Sequence, residues 1–383
     1  EDRSDIHTDA NSAIELFDDL KVNKEWDVVG YAHCGGRYAD IKMAHDGRFE
    51  KSIEIHSSWG TFEWLLHDAF EMGYRVGIVC NSDGHKGRPG ASYPGSSLFG
   101  AVGGLTCFIT GELSRESIMD SQRKRHHYGT TGGHGGRMYI DVKASFTDKA
   151  TIYHDDPSWS SAEGSLSSDA IMGDIVHLPT GEMDVSVDIL AAVPIERVDI
   201  FNGLDLVETL RPFSRDELGN RIRVIWEGAE RRGRFRQVIW DGKAHLSDNL
   251  IVDAKPINFF NKEKTLERTS DTSLAWQALT TGNIGGFDVW VKDAFGGTLQ
   301  IETPLIKCEV PLEEIGIEDK VFDKSDVLPR YLKIFRMPAE NPHRNFSFQR
   351  RIKLKKPGDN PIFVRLTQED GTIAWTSPIY VFR

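Results

Sequence analysis

From about Asn11 to Arg125 the apolar residues switch repeatedly between helical and extended spacing. Ala13-Ile14-Glu15-Leu16-Phe17 follows Asn11-Ser12, a side chain that can cap the first turn, so a helix is expected to start there. Asp27-Val28-Val29-Gly30-Tyr31-Ala32-His33 reads as a buried strand and Lys51 to His56 as a second. Phe62, Leu65, Leu66, Ala69 and Phe70 recur at helical spacing and present one apolar face, closed by Gly73. Val76 to Cys80 and Leu105 to Thr110 are two more strands, and Ser114-Arg115-Glu116-Ser117 opens a helix ending in Arg123-Lys124-Arg125. Strands that alternate with helices imply a parallel sheet or barrel with the helices outside.

Beyond Thr130-Thr131-Gly132-Gly133 the pattern is different. Met183 to Ala192, Ile195 to Phe201, Arg221 to Glu227, Phe235 to Trp240, Phe287 to Val291 and Ile362 to Thr367 are alternating, β-branched or aromatic runs between Gly, Asn and Asp turns. That is the pattern of an antiparallel β-sandwich. The Ser- and Asp-rich stretch from Thr147 to Ser168 reads as a connecting loop. The expected fold class is therefore α/β plus all-β, with an α/β unit over 1–146, a connector over 147–168 and a β-rich, sandwich-like unit over 169–383.

Two such units agree with 383 residues, more than one domain usually needs. A formal charge of -12 at pH 7 argues against broad binding to nucleic acid or to an anionic membrane, since both would repel the chain. A small anionic substrate stays compatible with it if a metal or an arginine reverses the field locally. Cys34, Cys80, Cys107 and Cys308 are too scattered for a disulfide framework and are expected as thiols. The chain starts at Glu1 without a methionine, so removal of a leader or a longer segment is expected, which leaves cytoplasm and periplasm both open.

Three of the expected parallel strands end in ionisable or metal-binding residues, where an α/β barrel carries its working side chains. The first ends at His33. The second carries Glu54 and His56, which alternate with Ile53 and Ile55 and so share one face. The third runs into Asn81-Ser82-Asp83-Gly84-His85. Mixed imidazole and carboxylate ligands suit a divalent transition metal such as zinc, manganese or iron, whose task would be to lower the pKa of bound water and neutralise an oxyanion. Gly35-Gly36-Arg37-Tyr38 and Gly87-Arg88-Pro89-Gly90 each place an arginine in a permissive loop beyond an expected ligand, where Arg37 and Arg88 could grip a phosphate.

Tyr31-Ala32-His33, Ile53-Glu54-Ile55-His56-Ser57-Ser58 and Ser82-Asp83-Gly84-His85 together resemble the late motifs of the PHP (polymerase and histidinol phosphatase) superfamily. The longer strings His56 to Trp64 and Gly87 to Pro94 are similar to a bacterial branch with a β-rich C-terminal extension. The resemblance implies a trinuclear metal hydrolase on a distorted (β/α)7 barrel. It matches His33, Asp83 and His85 to metal ligands and Glu54 to an inward carboxylate, while His56 stands where other branches often have asparagine. The family's opening His-x-His motif has no counterpart among the 32 residues before His33, so the chain is expected to carry only the C-terminal part of that barrel. Such a part would hold at most one ion, turn over little substrate, and cover its open edge by self-association, with an N-terminal partner fragment, or by rearrangement of residues 1 to 30.

The expected function is metal-dependent hydrolysis of a phosphate ester. In it His33, Glu54, His56, Asp83 and His85 hold metal, Asp83 and His85 serve the chemistry, and Arg37 and Arg88 bind the phosphate. A related possibility is another ester or amide substrate. The contrasting expectation is a non-catalytic binding or structural module, with Trp226, Trp240, Trp276 and Trp290 as candidate sugar-stacking residues or, as alternate positions in a sandwich usually are, core.

Overall fold

The computed structural model describes residues 9–33, 40–84, 102–133, 136–159, 161–230, 237–261, 263–326, 328–355 and 358–383. Strands take up 49% of the chain and helices 10%, so the expected (β/α)7 barrel, even a partial one, gives way to a mostly β architecture. Three α-helices lie among the described residues: α1 (Ala13–Val22), α2 (Trp64–Glu71) and α3 (Arg115–Arg123). Ser12 and Ser114 cap α1 and α3 by accepting from the amides of Glu15 and Ser117.

Parallel pairing survives in one small layer. The strand Glu50–Ser57 lies between Gly30–Ala32 and Gly77–Cys80, parallel to both, and α2 makes the crossover to the last of these. There the alternation stops. Leu105–Phe108 and His127–Thr130, the strands on either side of α3, pair antiparallel with each other and continue through Ile373–Thr376 into a twelve-stranded sheet. A barrel requires each helix to return the chain to a parallel neighbour. Apolar spacing reports what kind of element a segment forms, and it is silent on the partner strand.

The large sheet takes its strands from 105–210 and 345–382 and is antiparallel except where Ile379–Phe382 lies alongside Ile175–His177. The expected connector over 147–168 belongs to it: Met138–Tyr153 and Gly164–Ile171 form a long hairpin, and only the residues between them are irregular. Between Asp205–Leu210 and Asn345–Lys353 the chain leaves this sheet and builds two five-stranded sheets and a two-stranded ribbon over 221–337. The structural break thus falls around this inserted unit, and the 146/169 boundary runs through one continuous sheet.

Apolar side chains form three clusters. One lies within the large sheet, around Val142, Val187, Ile200 and Val364. A second fills the inserted unit, where Trp226, Trp240 and Trp276 are buried and Trp226 stacks on Trp276 with ring centroids 5.4 Å apart. These three tryptophans are core, as their alternate spacing in a sandwich allows. The third joins Ile53, Leu65, Leu66 and Ile78 of the N-terminal layer to Phe335, Phe363 and Trp375 from the rest of the chain. No described helix is long and apolar enough to cross a membrane. Among the described cysteines, Cys80, Cys107 and Cys308 are free.

Candidate metal centre

Because the three N-terminal strands are parallel, their C-terminal ends emerge on one side. His33 follows Gly30–Ala32, Glu54 points from within Glu50–Ser57, and Asn81 and Asp83 follow Gly77–Cys80. The His33 Nδ1 lies 2.5 Å from Glu54 Oε2 and its Nε2 lies 3.7 Å from Asp83 Oδ2. Glu54 is held from behind, where Asn81 Nδ2 donates to its Oε1 at 2.8 Å. The Thr106 hydroxyl accepts from the Cys80 amide at 3.1 Å, donates to the Cys80 carbonyl at 2.8 Å and lies 3.3 Å from Asn81 Oδ1. A polar chain therefore runs from Thr106 through Asn81 and Glu54 to the imidazole.

Burial grades along this chain. The Glu54 side chain is 6% exposed, Asp83 15% and His33 54%, so the set opens at the surface through the ring. Asp83 adopts the left-handed region with φ 44°, which Asp tolerates better than most residues, and its carbonyl accepts from the Ser58 hydroxyl at 3.1 Å. Beneath the site, burial, with the Glu54 charge adding to it, pushes the Tyr31 phenol up to about 12.

Glu54 and Asp83 address opposite nitrogens of one ring, so they are not equivalent ligands of one ion on that ring. A carboxylate on Nδ1 fixes the tautomer that bears its proton there and turns the Nε2 lone pair outward, the arrangement that supports a metal-bound histidine. The Nε2 to Oδ2 distance of 3.7 Å exceeds a hydrogen bond yet suits two ligands of a common ion, each with a bond of about 2.0–2.2 Å. His33 and Asp83 thus fit a divalent metal, with Glu54 behind the ring in a supporting position.

His56 does not join them. It is buried, its Nε2 donates to the Val102 carbonyl at 2.7 Å and its Nδ1 lies 2.8 Å from the Thr61 hydroxyl, so neither nitrogen offers a free lone pair. Burial, only partly offset by the Val102 carbonyl, lowers its pKa to about 4 and keeps the ring neutral. An irregularity in register between Glu54 and His56 separates the environments of two residues that simple alternation would place together. His85, Arg37 and Arg88 lie outside the described residues.

Asn81 and Thr106 were not singled out from the sequence. Asn81 stands in the string that gave Asp83, but an amide carries no titratable signal. Thr106 comes from another strand, 25 residues along the chain from Asn81. Comparison of the chain with protein-family models, curated proteins and solved structures finds no match.

Proposed function

We propose that the protein is a metal-dependent hydrolase of phosphate esters, with a divalent transition metal held by His33 Nε2 and Asp83. The observation that carries the reading is the ring of His33, backed by Glu54 on Nδ1 and faced by Asp83 across 3.7 Å on Nε2. His85 enters through its Asp-x-His motif and Arg37 and Arg88 through their loops, and the phosphate-ester class rests on the motif resemblance. A metal bound there would supply an acidified water and charge neutralisation for a developing oxyanion. The chain's own residues have separate tasks. Glu54 holds the Nδ1 proton, Asn81 holds Glu54, and Asp83 offers the carboxylate through which a proton could leave an attacking water.

The test is manganese-dependent hydrolysis of a generic aryl phosphate, with metal content measured alongside. Turnover is expected to be slow, because few donors hold the ion. Asp83→Ala and His33→Ala should each abolish it and remove one bound ion per chain while the far-ultraviolet circular dichroism is retained. Metal binding and hydrolysis unchanged in both variants would sink the reading and favour a non-catalytic module.

A further inference from the structure

Away from that layer, His126, His154 and Asp174 come together from three segments distant in sequence. Their candidate ligand atoms all lie within 4.8 Å of one another, the one such group of three among the described residues. His126 Nε2 is 2.9 Å and His154 Nδ1 3.2 Å from the same oxygen, Asp174 Oδ1. The two imidazoles stand at 84° with centroids 5.5 Å apart, so each directs its nitrogen at the carboxylate from a different side. Ligands bonded at about 2.0–2.1 Å to a tetrahedral ion are separated by roughly 3.3 Å, close to both of these distances.

Hydrogen bonding accounts for half of this arrangement. His126 Nε2 is well placed to donate to Asp174 Oδ1. His154 Nδ1, a buried nitrogen atom, lies 3.2 Å from the same oxygen without the geometry of a good hydrogen bond, so Asp174 is its ion-pair neighbour and compensates it only in part. A buried polar atom so placed gives up hydration for a poorly aligned contact, which natural structures usually improve on. An ion between the donors would use that lone pair.

The three segments are fixed to one another by a buried arginine. Arg125 Nε donates to the Gly173 carbonyl at 3.0 Å and its Nη2 to the His154 carbonyl at 2.7 Å, while its own main chain leads directly into His126. Gly173 has φ +96°, and a Cβ there would lie 2.3 Å from the Arg125 carbonyl, so this crossing requires glycine. Asp174 Oδ2 accepts from the Ile171 amide at 2.9 Å, which leaves Oδ1 aimed at the histidines. Of the cations nearby, the buried Arg125 guanidinium is hydrogen-bonded to main-chain carbonyls, and the two lysines are neutralised. Lys51 is paired with Asp155 at 2.8 Å and Lys124 with Asp120 at 2.7 Å.

We propose that His126 Nε2, His154 Nδ1 and Asp174 Oδ1 form a second, separate site for one zinc-like divalent ion, with a fourth position open beside His154. Two imidazoles and one carboxylate match the borderline-soft character of such ions, and three protein donors leave room for a water or an exogenous ligand. The His154 side chain is 43% exposed and lines a cleft of about 720 Å³ shared with Trp26, Lys51 and Trp159, the side from which a fourth ligand would arrive. Binding would move the His126 proton from Nε2 to Nδ1 and leave the imidazole neutral. The site does not depend on the function assigned to His33 and Asp83.

The experiment uses the full chain carrying His33→Ala and Asp83→Ala, stripped of metal and titrated with cobalt(II), whose absorption reports low-coordinate nitrogen and oxygen ligands. One equivalent with strong visible bands is expected, displaced by zinc. Adding His154→Ala should weaken binding by more than about 10-fold and bleach the bands, with near-ultraviolet circular dichroism unchanged. His126→Gln is the second variant, with the same expectation, so that a folding defect in one leaves the other decisive. Failure of the parent to bind cobalt, or equal binding in folded variants, would overturn the proposal. Loss of metal in the His33 and Asp83 experiment alone would not.

Discussion

A histidine ring offers two nitrogens, and the group that occupies one decides what the other can do. At His33 the Glu54 carboxylate takes Nδ1 at 2.5 Å and leaves Nε2 toward Asp83, whereas at His56 both nitrogens are engaged inside the protein. Glu54→Gln should therefore lower metal affinity by roughly 10- to 100-fold, the usual cost of losing a supporting carboxylate, where His56→Gln leaves it unchanged. Isothermal titration with manganese separates the two, and equal losses would make His56 a ligand after all. Glu196 is a residue-scale case of another kind. Burial would raise its pKa, but the Arg197, Arg223 and Arg211 charges outweigh burial and hold it down at about 2. Its contribution to stability is present above the ordinary carboxylate value of 4.5 and is lost as pH falls through 4.5 toward about 2. Glu196→Gln should cost roughly 3–5 kcal/mol near neutrality, because Arg223 keeps its place without the carboxylate at 2.5 Å, and should flatten the acid side of the stability curve. Denaturant melts from pH 7 to pH 2 measure both effects; an unchanged acid slope would remove Glu196 from the account.

At the scale of elements, turns join units that are distant in sequence. Gly60 packs against Thr281 and Gly282 against Thr61 where the short strand Gly60–Thr61 meets the turn before Ile284–Val291, and the Thr61 amide donates to the Thr281 carbonyl at 2.9 Å. Gly282 has φ +87°, and a Cβ there would fall 1.8 Å from the Thr61 carbonyl oxygen. Gly282→Ala must shift the backbone and adopt a disfavoured conformation, at about 1–3 kcal/mol, visible as a lowered denaturant midpoint with an unchanged slope. Local chemistry of this kind is what a sequence displays best. The caps at Ser12 and Ser114 and the runs at Glu182–Ala191, Ile195–Asn202 and Arg221–Gly228 were legible because each has its own signal. Pairing was not. The hairpin over Met138–Tyr153 and Gly164–Ile171 read as a loop because a register shift interrupts one strand between Ser145 and Ala150, and the other strand is mostly exposed and shows no apolar alternation. In the candidate site, the strand-end positions of His33, Glu54 and Asp83 could be read along the chain, but the partners Asn81 and Thr106, and the meeting of His126, His154 and Asp174, depend on contacts between distant segments.

At the scale of the molecule, the N-terminal layer has no core that it owns. Its sheet has only four strands, and α2 buries Leu65 and Leu66 in a cluster whose other members include Phe335, Phe363 and Trp375. Polar ties lead the same way: the Tyr380 hydroxyl accepts from the Val76 amide at 2.9 Å and donates to its carbonyl at 2.8 Å, Ser377 Oγ accepts from the Ile78 amide at 3.1 Å, and Arg75 grips Asp359 at 2.7 and 2.8 Å. Separated from residues beyond 330, the layer would expose the apolar face of α2 and leave those main-chain groups to water, with few strands to hold a sheet together. A segment spanning 9–133 alone is therefore expected to lack a cooperative thermal transition and slow amide exchange. Within the whole chain, Tyr380→Phe should destabilise by about 1–3 kcal/mol, since it leaves a buried amide and carbonyl of Val76 without their partner. The inserted unit, whose cluster is drawn from 222–334, serves as the comparison, because it encloses its own apolar residues and should retain more protected amides under the same conditions. A sharp, reversible melt of the isolated 9–133 segment, with protected amides in Glu50–Ser57, would show that the layer folds without the C-terminal strands and that the shared cluster is only a contact surface.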